Sequence, residues 1–413
     1  MPASSQPQLE DPAVQAGQLI VRLGMFVLAV ATPCAAIVSR RALFSLMPIG
    51  AVLILIGAAL TPARPVGRRL LASFLTPAGL AAVFLAGWTG LSLAWTPWLI
   101  PGGERFFKTI GTFLLAAAAA SLLPPRARTS NLNLLPIGVT IAALATIAVA
   151  FLGPSWLVAP GANLEGSTLA RSAVDLVMLV WPALAALAVR DRWASAGAVA
   201  GIAAIAAIAV WTPVALAAMA AGALVFAVSA SSPRPIGRVL AIVFGLLFVL
   251  APLLALGGAA VIGRMANAPP VVAPITLWAA LVKSDGLRLV TGHGVDAASR
   301  GIAAGFLPAG SPRSILFEVW YDLGVIGALA AAALVASAFL SAAQAAQPLA
   351  PFLLAALTCG LVIAVAGLST AQLWWTTLIS VVALCFSVVR KGQYRTQRPR
   401  VSLLSDERSR PAA

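Results

Sequence analysis

Few residues of this chain can do polar chemistry. Of its 413 residues 9% are charged, and the sequence holds one histidine, two tyrosines and three cysteines. A bound transition metal needs several histidine, cysteine or carboxylate ligands close together, so this composition argues against such a site. The thiols Cys34, Cys359 and Cys385 lie inside apolar runs, which indicates buried free cysteines without a disulfide framework. The sequence also lacks a glycine-rich phosphate loop, a CxxC pair and an HExxH helix, and we expect no cofactor.

Hydrophobic residues take the place of the missing polar ones. They make up 61% of the chain, and the mean hydropathy is +0.99. A soluble domain of this size could not bury so much apolar surface. Many apolar runs reach the roughly 18 to 20 residues that cross a bilayer core. We therefore predict an all-α fold, a polytopic membrane helical bundle of about twelve transmembrane helices with one long periplasmic loop.

The apolar runs divide the chain into five regions. Residues 194–230 fit two short helices that turn at Trp211-Thr212-Pro213, or one long helix, which would invert every later loop. With two helices, the regions are a cytoplasmic tail (1–18), spans one to nine (19–257), a long periplasmic loop (258–314), spans ten to twelve (315–389) and a basic cytoplasmic tail (390–413). The predicted spans are 19–38, 43–60, 78–95, 107–123, 132–152, 169–189, 194–210, 213–230, 239–257, 315–340, 349–367 and 371–389.

Basic residues set the predicted orientation. They concentrate in alternate loops and in the tail after Arg390, and the positive-inside rule places those segments and both termini in the cytoplasm. The net charge of +15 would suit a nucleic-acid partner. Because the charge is split among short loops between apolar runs, we predict contacts with membrane lipids and none with nucleic acid.

The scarce polar residues gather in one stretch, residues 288–327. It contains the single histidine, His293, between Gly292 and Gly294. Flanking glycines permit positive φ and let the backbone approach a ligand closely. The histidine is either a general base that works near neutral pH or a turn residue hydrogen-bonded to the backbone, and both alternatives stay open.

Several cations face the predicted outer side, against the positive-inside trend. A guanidinium donates two parallel hydrogen bonds to two phosphate oxygens, so such a group indicates an anionic lipid headgroup, most economically a pyrophosphate. The alternative is that each side chain snorkels to ordinary phospholipid phosphates, which we favour for Arg40, Arg41 and Arg300. The remaining candidates for phosphate are Arg105, Lys108, Arg171, Arg264, Arg288 and Arg313.

Carboxylates are fewer than cations. Asp175 follows Arg171 by one turn, so the two are expected to pair within a helix. Glu318 and Asp322 are spaced i, i+4, which is unfavourable without a nearby cation, and Arg313 is the nearest candidate in sequence. The other outer carboxylates either orient an arginine or accept a proton; these are Glu165, Asp285 and Asp296.

Four segments resemble the O-antigen ligase and polymerase family. SPRSILFEVWYDLGVIGALAAAAL is similar to the family's C-terminal signature, in which a short loop element leads into a helix with an acidic residue and Leu-Gly-x-x-Gly. LSLAWTPWLIPGGERFFKTIG resembles its Trp-Ser/Thr-Pro turn and basic helix start. GSTLARSAVDLVMLVWPALAAL resembles its sixth-span segment with an arginine. Residues 263–300 resemble the Arg…Trp…Gly-x-Gly run of its long loop.

The resemblance implies a metal-independent glycosyltransferase at the periplasmic face of the bacterial inner membrane. The donor would be a glycan on undecaprenyl pyrophosphate. The acceptor would be a sugar hydroxyl of lipid A-core for a ligase, or a growing glycan for a polymerase. By motif position, the pyrophosphate would be held by Arg171 and Arg264. The entrance would be lined by Arg105 and Lys108. The loop would be shaped by Trp278, Gly292 and Gly294.

One departure from the family pattern concerns the catalytic base. Where the family often has a histidine, this chain has Arg313. His293, Asp296 or Glu165 could replace that base, or Arg288 and Arg313 could act mainly by stabilising the leaving group. The chain could also be an inactive member. A transporter and a non-catalytic export scaffold remain the alternatives outside this enzyme class.

Overall fold

The structure is a computed structural model, and it describes residues 12–39, 41–60, 71–123, 129–153, 166–265, 269, 272–284, 286, 288–367 and 372–392. Within those residues the regular elements are helices, and no β-strand occurs. Ten of the helices in the described ranges are long and apolar enough to cross a membrane, judged by length and composition. The predicted polytopic helical fold is confirmed at this level.

The helices are numbered in chain order. Their bounds are α1 (Pro12–Ala36, with a π-helical turn at Val27–Ala31), α2 (Ala42–Ala59), α3 (Pro77–Leu91), α4 (Leu99–Leu122), α5 (Thr129–Leu152), α6 (Gly166–Ala188), α7 (Trp193–Ala209), α8 (Pro213–Ser229), α9 (Pro233–Ile262), α10 (Ala273–Ser284), α11 (Arg288–Thr291), α12 (Ala297–Ala303), α13 (Ile315–Ala343), α14 (Leu349–Ala366) and α15 (Leu373–Arg390).

Each predicted span overlaps one of the helices α1–α9 and α13–α15, with bounds that differ by up to eight residues. The turn between α7 and α8 is confirmed: Trp211 has a φ of 49°, and Pro213 begins α8, where its missing N–H costs no hydrogen bond. Both α7 and α8 have only 17 residues. They fall below the length of the ten candidate spans, so the number of membrane crossings stays a prediction.

The helices pack in two groups. The largest buried cluster joins α1, α2, α4–α8, α14 and α15, with α6 at its centre. The apolar window of α6 is 83% buried, whereas that of α3 is 6% buried. An apolar helix as exposed as α3 needs an apolar surrounding, which agrees with a membrane. The second group consists of α9 and α13, against which α3 and α10 pack.

The predicted long loop contains helical structure. The segment between α9 and α13 includes the short helices α10, α11 and α12, which pack against α9 and α13. The functional candidates of residues 288–327 therefore lie in the second helix group. Which side of a membrane this segment faces stays a prediction.

Candidate functional site

The site is built on a break in α13. Gly324 has φ 64° and ψ −162°, so the helix is interrupted at its tenth residue. A Cβ at this position would lie 2.4 Å from the carbonyl oxygen of Val290. The indole Nε1 of Trp88 donates a hydrogen bond of 2.9 Å to the carbonyl oxygen of Leu323. A carbonyl released by the break thus keeps a partner, as an apolar environment requires.

The loop between α11 and α12 inserts into this break. The backbone N–H groups of His293 and Gly294 donate to the carbonyl oxygens of Tyr321 and Asp322, at 2.8 and 2.9 Å. Both flanking glycines have positive φ, 72° at Gly292 and 95° at Gly294. A Cβ at Gly292 would lie 2.2 Å from the backbone carbonyl oxygen of Asp322. Glycine is required here because the backbone turns left-handed while touching α13.

The other side of the loop rests on the turn after α3. Thr96 Oγ1 donates to the carbonyl oxygen of Val295 at 2.9 Å, and the Val295 N–H donates to Ser92 Oγ at 3.1 Å. A Cβ at Gly294 would lie 2.6 Å from the Cα of Thr96. The loop therefore packs on the turn Trp95-Thr96-Pro97, which belongs to one of the segments that carried the family resemblance.

Asp322 holds the start of α12. Its Oδ2 accepts the N–H of Asp296 at 3.0 Å, and its Oδ1 accepts the N–H of Ala298 at 2.7 Å. A carboxylate at a helix N-terminus satisfies donors that have no partner within the helix and complements the helix dipole. Arg313, the cation expected near Asp322 from the sequence, is exposed in the loop before α13. Backbone amides take the place of that cation, because the inserted loop brings them within reach.

Asp296 accepts hydrogen bonds from three side chains. It adopts a left-handed conformation, with φ 69°, and its side chain is 3% exposed. Its Oδ1 accepts from Arg105 and Ser299, and its Oδ2 accepts from Arg300 Nε at 3.1 Å. The Arg105 side chain is 13% exposed and that of Asp296 is 3% exposed, so this is a part-buried ion pair between α4 and the start of α12. Arg105 thereby supports the loop, and its role in binding a diphosphate stays a prediction.

His293 is oriented by the residue it stacks on. Its ring lies parallel to that of Tyr321, with centroids 4.0 Å apart and 7° between the planes. Its Nδ1 lies 3.1 Å from the carbonyl oxygen of Tyr321. A carbonyl oxygen only accepts, so Nδ1 carries the hydrogen in this contact and Nε2 is the nitrogen that can take up a proton. The two alternatives left open by the sequence are thus compatible in one residue.

The histidine lines a small aromatic cavity. Its volume is about 80 Å³, and its walls include His293, Arg288, Trp278, Trp320 and Tyr321. Pockets that enclose a whole small molecule usually measure roughly 300 to 1,000 Å³. This cavity can therefore accept only one end of a ligand, between a cation and the imidazole.

The structure divides the predicted site residues into two sets. His293, Arg288 and Trp278 line the cavity, and Gly292, Gly294 and Arg105 belong to the network that supports it. The others lie elsewhere. Lys108 pairs with Glu104 of its own helix, Arg264 is exposed just beyond α9, and Arg313 is exposed before α13. The predicted carboxylates Glu165 and Asp285, and Arg40, lie outside the described residues.

Arg171 has a separate setting. Its guanidinium carbon lies 5.9 Å from the ring centroid of Trp374 on α15, a cation–π arrangement. Asp175, one turn further along α6, is 2% exposed. Its Oδ1 accepts no hydrogen bond from the residues that the structure describes. The predicted pairing with Arg171 is thus limited to attraction between the two charges.

Sequence reasoning missed the roles of Tyr321 and Asp322. Both lie in the Glu-x-x-Tyr-Asp-Leu-Gly segment that carried the resemblance, but their partners are 24 to 28 residues away in the chain. Comparison with protein-family models found no match, and comparison with curated proteins found none either. The family resemblance therefore rests on its motifs and supports a proposal.

Proposed function

We propose that this protein is a membrane-embedded glycosyltransferase that moves a glycan from a polyprenyl pyrophosphate to a sugar hydroxyl. The resemblance to O-antigen ligases and polymerases supplies the substrate classes, undecaprenyl pyrophosphate and lipid A-core or a growing glycan. The active face is periplasmic in this proposal. The observation that carries it is the orientation of His293, whose Nδ1 contacts the Tyr321 carbonyl while the ring lines a cavity beside Arg288.

The proposed reaction is a displacement at the anomeric carbon of the donor glycan. The acceptor hydroxyl oxygen forms the new bond to that carbon, and Nε2 of His293 takes the hydroxyl proton. The bond from the anomeric carbon to the pyrophosphate oxygen breaks, and the lipid pyrophosphate leaves with the electron pair. Arg288, on the wall of the same cavity, stabilises the charge that develops on the leaving group. The proton then passes from His293 to solvent.

The network behind the cavity explains how the base is held. Asp322 and Asp296 fix the start of α12, and the inserted loop fixes His293 against Tyr321. Catalytic groups work when their orientation is set before substrate binds, and buried, fully hydrogen-bonded supports provide that rigidity. Asp322 acts through the loop and is a positioning residue in this proposal.

The test uses purified protein in lipid vesicles with a polyprenyl-pyrophosphate glycan and an acceptor sugar. His293→Gln should lower transfer by at least about 100-fold, the usual contribution of a general base. Arg288→Ala should lower it by a similar factor because a charge stabiliser is lost. Arg192→Ala, an exposed arginine before α7, is the control and should keep full activity. Full activity of both His293→Gln and Arg288→Ala, in protein that elutes as one species, would refute the proposal.

Ligase and polymerase are distinguished in cells by the surface glycan of a deletion strain. Bare lipid A-core without long chains indicates a ligase, and core with a single repeat unit indicates a polymerase. Unchanged lipopolysaccharide with loss of a secreted polymer indicates an exopolysaccharide polymerase. An unchanged glycan in every fraction would contradict all three.

A further inference from the structure

A second concave surface lies between α9 and α13, away from the histidine cavity. It is a groove of about 520 Å³, and Arg238 stands at one end. Its floor consists of small residues, among them Gly245, Ala332 and Ala336. The large apolar side chains Ile242 and Leu246 form its walls and are 61% and 51% exposed. We name this surface, from Arg238 to Val249 on α9 and from Ala332 to Leu340 on α13, the α9–α13 groove.

The groove exists because two helices separate after a close contact. At Gly237 a Cβ would lie 2.3 Å from the Cβ of Ala343, so α9 and α13 touch there. At Gly245 the nearest atom to such a Cβ is the Cβ of Ala336, at 3.9 Å. The stacked rings of Phe244 and Phe339, 5.4 Å apart, hold the inner side of the pair. On the opposite side of the helix pair, which faces away from these two rings, the space between α9 and α13 is open.

The length of the groove matches one leaflet of a bilayer. From Arg238 to Val249 α9 rises about 16 Å at 1.5 Å per residue, close to half of the roughly 30 Å hydrocarbon core. Every residue from Val239 to Ile262 is uncharged. In a membrane-spanning α9, Arg238 would therefore lie at the headgroup level, and the groove would continue from it into the hydrocarbon core.

The charges at one end of the groove favour the binding of an anion. Arg234 and Arg238 are spaced i, i+4, and both are exposed. Like charges at that spacing repel each other, and cations near a helix N-terminus oppose the helix dipole. Neither arginine has a salt-bridge partner within the described ranges. An anion between the two guanidinium groups would remove both unfavourable interactions.

We propose that the α9–α13 groove binds one anionic phospholipid, with its phosphate between Arg234 and Arg238 and one acyl chain along the groove. The occupant is a lipid of a single leaflet, because the α9–α13 groove is one leaflet deep and its charged residues lie at the headgroup end. The proposal does not depend on glycosyl transfer, since the histidine cavity is lined by the first turns of α13 and the groove by its last turns.

The test is native mass spectrometry of delipidated protein in detergent, titrated with dioleoyl phosphatidylglycerol or with dioleoyl phosphatidylcholine. The wild type should bind one phosphatidylglycerol in preference to phosphatidylcholine. Each arginine near an anionic lipid contributes roughly fivefold in affinity, so Arg238→Ala should weaken binding about fivefold and the double Arg234→Ala/Arg238→Ala variant about 25-fold. Gly245→Leu should abolish the preferred site because its side chain fills the floor.

Two controls separate this site from general lipid contact. Gly257→Leu lies on the same helix with no atom within 4 Å of its Cβ, and Arg192→Ala removes an exposed arginine elsewhere. Both should bind like the wild type. Equal binding of the two lipids by the wild type would overturn the proposal, as would unchanged affinity in Arg238→Ala or equal losses in the controls. If Gly245→Leu does not fold, the arginine variants decide the result alone.

Discussion

Asp322 in α13 and Asp175 in α6 are both buried, but the fold uses them differently. Asp322 accepts two backbone N–H groups from the start of α12 and fastens a loop that inserts into a broken helix. Asp175 lies in an unbroken helix, and its Oδ1 accepts no hydrogen bond from any described residue. A buried carboxylate stabilises a fold when amides or cations satisfy it, and otherwise costs free energy. Of the two aspartates, Asp322 is therefore the one to which we give a positioning role in the proposed function.

The largest expected effect belongs to Asp322. Asp322→Ala leaves the amides of Asp296 and Ala298 without acceptors, at a cost of about 1 to 3 kcal/mol for each. Hydrogen exchange of residues 292–303 should therefore become fast, while exchange in α6 stays unchanged. Protection of that segment equal to wild type would show that the two hydrogen bonds do not hold the loop.

Gly292 and Gly305 together separate the stability cost of a steric clash from the cost of a left-handed backbone. Both have positive φ, 72° and 79°, but a Cβ at Gly292 meets Asp322 backbone at 2.2 Å and one at Gly305 meets nothing within 4 Å. Gly305→Ala should cost about 1 kcal/mol for the left-handed backbone. Gly292→Ala should cost clearly more, about 2 to 4 kcal/mol, because α13 or the loop must shift. Thermal unfolding in detergent measures both, and equal costs would contradict the insertion of the loop.

Hydropathy predicted the long helices, but neither the short helices α10–α12 nor the break in α13. Long apolar runs predicted α9 and α13, and a proline after Trp211-Thr212 predicted the turn before α8. Glycine is frequent in membrane helices, so Gly324 in the apolar Leu-Gly-x-x-Gly pattern does not by itself reveal the break. The loop that fills it pairs His293 with Tyr321, and the ion pair between Arg105 and Asp296 joins residues 191 positions apart. Local periodicity carries no information about such contacts.

Two ion pairs at the start of α4 provide a smaller test. Arg105 pairs with Asp296 in a part-buried setting, whereas Lys108 pairs with Glu104 where both side chains are more than half exposed. Arg105→Met should destabilise the protein by about 2 kcal/mol, because Asp296 loses a charged hydrogen-bond donor and keeps only Arg300 as a cation. Lys108→Met should leave the unfolding temperature unchanged, because water screens an exposed pair. Equal shifts in the two variants would contradict the role of Arg105 as a support.

The smallest effect is expected at Asp175. Asp175→Asn removes a buried charge whose Oδ1 has no hydrogen-bond donor among the described residues, and retains the shape of the side chain. The lost attraction to Arg171 and the relieved cost of burial oppose each other, so the free energy of unfolding should change by less than about 1 kcal/mol. A loss as large as that of Asp322→Ala would remove the distinction between the two aspartates.

The most direct measurement of the central claim is the release of polyprenyl pyrophosphate from a glycan donor by the purified protein in vesicles. We expect that release requires an acceptor sugar and falls at least about 100-fold in His293→Gln. Absence of release by the wild type with both substrates present, or equal release by His293→Gln, would contradict it.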